Sequence, residues 1–340
     1  MDKAELQRTV EALVQPPKGL LAADESNPTI EKRFASIGLD STEPNRRAWR
    51  NVLLAAPGLA DAVSGVILYE ETLAQRADDG TPFPQLLAQR GIVPGIKVDA
   101  GKVPLANAPG DEITEGLDGL AKRLRRYRAD GARFAKWRAV YNVSQTLPSR
   151  LAVKENAHAL ARYAAICQEE GFVPIVEPEV LIDGDHSIER CSEVTEQVLH
   201  AVFHALHRQR VALESMLLKP SMVLPGKRAA KAPPGDVARH TVNVLRRTVP
   251  AAVPGVFFLS GGQAPEEATA NLDAINRLGP QPWVLSFSYA RALQEPALAA
   301  WRGEAGNSTQ AQRALVHRAK MNASAREGRY DPAMENEAGR

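Results

Sequence analysis

The sequence predicts an α/β protein, a single (β/α)₈ TIM barrel, and three observations carry that prediction. Short apolar runs recur about eight times along the 340 residues. Stretches with helical spacing separate them. No Gly/Ser-rich linker divides the chain, so one large domain accounts for its length. Strand and helix alternating in this way form a closed parallel sheet wrapped in helices.

In chain order, strands are expected at GLLAADE (19–25), GVILYE (65–70), VPGIKVD (93–99), FAKWRAV (134–140), VPIVEPE (173–179), MLLKPSMV (216–223), GVFFLSG (255–261) and WVLSFSY (283–289). Their near-continuous apolar character suits strands covered by helices outside and by packed side chains inside. Ala159, Leu160, Tyr163, Ala164 and Cys167 mark one intervening helix, and Val194, Val198, Leu199, Val202 and Leu206 another. GKRAAKAPPG (226–235) is a polar loop after the sixth strand. Extra helices are expected at both ends, the last over about 307–326, so the barrel with its flanking helices spans 1–326. A polar tail over 327–340, ending MENEAGR, is expected to be mobile.

Composition narrows the function. Lys plus Arg is 42 and Asp plus Glu is 40, a balance of +2 that gives no support for a nucleic-acid or membrane partner. RLRRYR (123–128) then reads as a solvated helix face. The two cysteines, Cys167 and Cys191, form neither a disulfide framework nor a ligand pattern, which suits a reducing cytoplasm. MDKAELQRTVEALV has early acids and no apolar signal core, and no apolar run reaches the roughly 20 residues of a membrane span. A soluble, cytoplasmic protein is expected.

Charged residues interrupt the strand ends. Asp24, Lys97, Lys136 with Arg138, Glu177 with Glu179, and Lys219 sit where the runs otherwise look buried. Alternation puts Lys136 and Arg138 on one face of their strand, and likewise Glu177 and Glu179 on one face of theirs. A buried unpaired charge costs several kcal/mol. Seven of them at equivalent ends of five strands would meet at the mouth where barrel active sites lie. Crowded lysines are expected to depress one another's pKa. A neutral lysine amine attacks carbonyl carbon to form a Schiff base. Dehydration of the carbinolamine needs an acid, Glu177 or Glu179, and cleavage of a β-hydroxy ketone needs a base, for which Asp24 is placed. Lys97, Arg138 and Arg291 suit anionic groups on the substrate.

The strings LLAADES, GVILYEETL, GIKVD, FAKWR, VEPE, LLKPSMV, FLSGGQ and FSYARALQ occur in this order over residues 20–294. Together they resemble class I fructose-bisphosphate aldolase, the metal-independent Schiff-base type. The resemblance implies Lys219 as the Schiff-base lysine, Glu177 as the main acid/base, Lys136 beside it and Asp24 assisting at the cleaved hydroxyl. It implies phosphate and substrate contacts from Ser260, Gly261, Gly262, Ser288, Tyr289 and Arg291 at one end of a sugar bisphosphate. At the other end it implies Ser26, Thr29 and Lys97, with Arg33, Arg46 and Arg138 adding positive charge. It further implies no cofactor or metal, small-molecule sugar phosphates as partners, and a homo-oligomer, by resemblance a homotetramer.

Three departures from the family pattern stand out. Ala290 replaces a usual glycine, Ala100 replaces a usual lysine, and the chain ends in Arg340 where animal members end in a tyrosine that exchanges the enamine proton. Tyr330 matches an upstream tyrosine of the tail only.

Rival readings have less behind them. LSGGQ is also the signature of ABC-type ATPases, but the chain has no Gly-x4-Gly-Lys-Ser/Thr loop to go with it. His200, His204 and His207 share a helical face with metal-ligand spacing, but barrel helices lie away from the mouth; a half-buried helix face is expected. Cys167, Met216 and Met222 read as core. A catalytically dead scaffold barrel would have lost Lys219, Glu177 or Lys136, and all three are present.

Overall fold

The computed structural model describes residues 3–339; Met1, Asp2 and Arg340 lie outside them, and with Arg340 the terminal position noted above. Ten strands run through the described residues: β1 Gly19–Ala23, β2 Val63–Leu68, β3 Val93–Lys97, β4 Gly101–Pro104, β5 Glu112–Glu115, β6 Phe134–Tyr141, β7 Val173–Val180, β8 Leu217–Leu218, β9 Gly255–Phe258 and β10 Val284–Tyr289. Eight of them close into a parallel barrel in the order β1-β10-β9-β8-β7-β6-β3-β2, with β2 paired back onto β1. Each expected strand is present.

The sequence reading missed the antiparallel hairpin β4–β5, which pairs Gly101 with Glu115 and Pro104 with Glu112 between β3 and β6. Its residues are mostly part-exposed and carry little apolar signal. The sixth barrel strand is regular only over Leu217–Leu218. Pro220 has no N–H to continue the ladder, although its carbonyl still accepts from Leu259 N at 3.1 Å.

The barrel interior changes character along its axis. At the N-terminal end, Leu20, Ala22, Ile67, Phe134, Val173, Ile175, Leu217 and Phe257 pack with Leu6, Val10 and Leu13 of the helix Lys3–Leu13. The spacing of those three helix residues puts them on one face, which plugs this end. Gly95 makes room for the plug, because a Cβ there would stand 2.2 Å from the Phe134 ring. A second apolar layer, including Trp137, Tyr163 and Cys167, lies between strands and helices.

RLRRYR lies on the helix Leu120–Ala129, where Arg125 and Arg126 are exposed as expected. Arg123 instead turns inward and donates to Val98 O at 2.9 Å. His200, His204 and His207 lie on the solvent side of the helix Ile188–Arg208, more exposed than expected.

The last long helix, Ser308–Arg326, is tied to the start of the chain. Arg326 donates to Gln15 O at 2.6 Å and Val14 O at 2.5 Å, and also to Lys18 O. Beyond it Tyr330 is buried, and Glu335 accepts from Tyr330 Oη and His317 Nε2, both at 2.8 Å, and from Arg318.

Candidate active site

A cavity of about 410 Å³ opens at the C-terminal end of the barrel. Among its lining residues are Asp24, Lys97, Lys136, Glu177 and Lys219, contributed by or just beyond β1, β3, β6, β7 and β8. Period-2 alternation explains their shared direction. On β6 the interior positions run Phe134, Lys136, Arg138; on β7 they run Val173, Ile175, Glu177, Glu179. The first members build the plug and the later ones the cavity.

Lys136, Glu177 and Asp24 form a buried chain of charges. Lys136 Nζ lies 2.6 Å from Asp24 Oδ2 and 3.2 Å from Glu177 Oε2; Lys219 Nζ lies 3.3 Å from Glu177 Oε1. Glu177 Oε2 nevertheless accepts no well-aligned hydrogen bond among the described residues. Burial alone would raise the Asp24 carboxyl, but Lys136, with Lys219 and Lys97 behind it, holds it below the usual carboxylate range.

Lys136 reverses the expectation of depressed lysines. Burial lowers it, yet Asp24, Glu177 and Asp99 together push it above the ordinary lysine value. Cations and carboxylates alternate here, so attraction outweighs the repulsion between lysines.

A second layer of pairs surrounds this chain. Arg138 bonds Glu179, and its guanidinium holds that carboxyl low against a burial effect that raises it. Lys97 Nζ lies 2.6 Å from Asp99 Oδ1. Asp99 was missed in sequence although it shares the strand-end pattern. Glu25 was missed as well. It is buried and bonded to Arg33, to Arg50 Nη1 at 2.5 Å and to Gln294 Nε2 at 2.8 Å. Its three partners come from two other segments of the chain and one distant helix, so no local signal marks it.

Two anion-ready borders flank the charges. On one side Ser26 and Thr29 line the cavity from the start of the helix Asn27–Ala35, and Arg33, with the previously unmarked Lys32, from its last turn. On the other, Ser260, Gly261, Ser288 and Arg291 line it from the ends of β9 and β10. Gln263 N closes the turn onto Ser260 O at 3.0 Å, with Gly261 at φ +60° and Gly262 at φ +85°. Ser288 Oγ is buried with no hydrogen-bond partner among the described residues, leaving it available to an oxygen in the cavity. Ala290 also lines it, at φ −103°, outside the left-handed region that favours glycine.

Three expected contacts fall elsewhere. Arg46 turns from the cavity to Glu71, with nitrogens 2.6 and 2.8 Å from its carboxylate. Tyr289 follows Ser288 on β10, so alternation sends its ring into the apolar layer, where its hydroxyl donates to Ala268 O at 3.1 Å. Gly262, within the same turn, borders a smaller cavity of about 110 Å³ instead. Among the described residues, no group of three or more His, Cys, Asp or Glu side chains is arranged to hold a metal ion.

A parallel barrel that interleaves lysines and carboxylates at its mouth, between two borders suited to anions, has the equipment of a carbon–carbon lyase acting through an amine. The chain belongs to the class-I fructose-bisphosphate aldolase family, whose model matches residues 5–340. It is 52% identical over 332 residues to a probable fructose-bisphosphate aldolase class 1 of Xanthomonas campestris, covering 97% of this chain and 99% of that one. Identity to a cytosolic fructose-bisphosphate aldolase of Arabidopsis thaliana is 54% over 327 residues, covering 96% and 91%. A solved fructose-bisphosphate aldolase of Plasmodium falciparum, in a ternary complex with TRAP and an inhibitor, superposes with a TM-score of 0.95. It is 50% identical, and the match covers 96% of this chain and 95% of that one.

Proposed function

We propose that this chain reversibly cleaves fructose 1,6-bisphosphate to dihydroxyacetone phosphate and glyceraldehyde 3-phosphate, with Lys219 forming the Schiff base. The observation that carries the assignment is the contact of Lys219 with Glu177, 3.3 Å apart in a buried site. Glu177 takes a proton from Lys219, whose neutral amine attacks C2 of the open-chain ketose. Glu177 then protonates the carbinolamine hydroxyl, which leaves as water. The iminium draws in electrons as the C3–C4 bond breaks and the C4 hydroxyl loses its proton. Glyceraldehyde 3-phosphate leaves. Protonation of the enamine and hydrolysis of the imine release dihydroxyacetone phosphate and free Lys219.

The sequence left the C4 base open between Asp24 and Glu177. Asp24 is bound to Lys136 and held strongly acidic, which makes it a poor proton acceptor at neutral pH. Glu177 keeps a buried oxygen without an aligned partner among the described residues. We therefore assign the base to Glu177, and to Asp24 the electrostatic task of holding Lys136. Ser260, Gly261, Ser288 and Arg291 take the phosphate next to the ketone. Ser26, Thr29, Lys97, Arg33 and Arg138 serve the distal one. Phosphate binding at the seventh and eighth strands of a barrel is a common arrangement.

No cofactor enters this scheme. Borohydride reduction with substrate should leave an adduct on Lys219, and turnover should survive EDTA; the absence of an adduct, or turnover lost to EDTA, would remove the reading. Rates with fructose 1-phosphate and sedoheptulose 1,7-bisphosphate define the preference, with the 1,6-bisphosphate expected to lead. A cytoplasmic homotetramer is the setting that the relatives' family suggests, and sedimentation of the purified chain tests the subunit number.

A further inference from the structure

The loop after β8 carries a cation that this mechanism does not use. Gly226 N donates to His186 O at 2.9 Å, Lys227 N to Ile182 O at 2.8 Å, and Arg228 N to Gly184 O at 2.9 Å. Three successive amides thus lash the loop to the segment after β7 and fix where Lys227 leaves the backbone. Its side chain reaches the Ser260–Gly262 turn. A Cβ on Gly262 would stand 3.3 Å from Lys227 Cε, 3.4 Å from its Nζ and 3.0 Å from Arg291 Nη2. Two cations therefore crowd over one glycine of the turn, whose φ of +85° also favours glycine.

Lys227 Nζ pairs with Asp183 at 2.8 Å, but the side chains are 46% and 62% exposed. Such a solvated pair is weak. A lysine on a flexible stem can leave it for a phosphate dianion, to which it bonds more strongly. Asp183 also feels Arg291 and Lys102, which puts its carboxylate in the same field as the turn.

We propose that Lys227 is a specificity-determining cation for the ketone-side phosphate. It exchanges Asp183 for the phosphate held at Ser260, Gly261 and Arg291, and favours a phosphate over a neutral hydroxyl there. The proposal rests on the reading of that turn as a phosphate site. Asp183 competes with the ligand for the same ammonium.

The test is borohydride trapping at Lys219, titrated with dihydroxyacetone phosphate and, separately, with unphosphorylated dihydroxyacetone. Lys227→Met should raise the half-saturating concentration of the phosphate about three- to tenfold and leave that of dihydroxyacetone unmoved. Lys227→Arg should return it to within about twofold, and Asp183→Asn should lower it by about twofold. Equal shifts for both compounds in Lys227→Met, no shift with the phosphate, or a rise in Asp183→Asn would overturn the proposal while leaving the phosphate site standing. If the wild-type protein forms no adduct with either compound, the reading of the site falls first, and this proposal with it.

Discussion

At the N-terminal end of the barrel, Leu6, Val10 and Leu13 meet Leu20, Phe134, Ile175 and Phe257 in a wholly apolar plug. At the other end the same strands lead to Asp24, Lys97, Lys136, Glu177 and Lys219 around a cavity. On β6 Phe134 and Lys136 are only two positions apart, about 7 Å of strand. The contrast teaches how a fold tolerates five ionisable groups in its centre. Burial of the plug offsets the cost of desolvating them, and each charge is matched to an opposite one rather than left alone.

If the two ends divide labour in this way, substitutions at each should fail in different assays. The largest effect belongs to Lys219→Met, which should lower kcat by about 10⁴-fold or more and abolish trapping, with the thermal midpoint little changed. Glu177→Gln should cost about 10²- to 10⁴-fold in kcat, and rapid-quench kinetics should place the loss at dehydration or C–C cleavage. Phe134→Ala reverses the pattern: a loss of about 3–5 kcal/mol in denaturant unfolding, with KM preserved in the fraction that remains folded. A plug substitution that instead changed KM tenfold without loss of stability would break the comparison.

The smallest effect sharpens it. Asp24 is held below its ordinary value by Lys136 despite burial, so the stability it contributes is complete above the unfolded-state value near pH 4. That stability is lost as pH falls toward the folded value. Asp24→Asn should therefore flatten the acid limb of a stability–pH profile; an unchanged limb would argue that the Asp24–Lys136 pair carries no net linkage.

How much of this was legible in the sequence follows from the distance over which each signal acts. Strand positions depend on local apolar runs, and all eight barrel strands could be read. The inward direction of Lys136, Glu177 and Lys219 depends on alternation, which is also local. Tyr289 departs from the motif-based expectation by that same alternation: Ser288 faces the cavity, and its neighbour cannot. Arg46 needed knowledge of Glu71, 25 positions away, and Glu25 needed Gln294, 269 positions away. The direction of the Lys136 shift also needed distances to Asp24 and Glu177 that no spacing in sequence supplies. The β4–β5 hairpin escaped because short, part-exposed strands resemble a polar loop.

The join between the first and last strands has a consequence in time. Ser286 Oγ bonds Lys18 O across 268 positions of sequence, and the Arg326 clasp on residues 14–18 lies further on still. At a synthesis rate of about 5–20 residues per second, β1 emerges from a ribosome roughly a quarter to one minute before β10 can pair with it. One edge of β1 must stay without its native neighbour for that interval, an opening for misassembly that ends only when nearly the whole chain has been made.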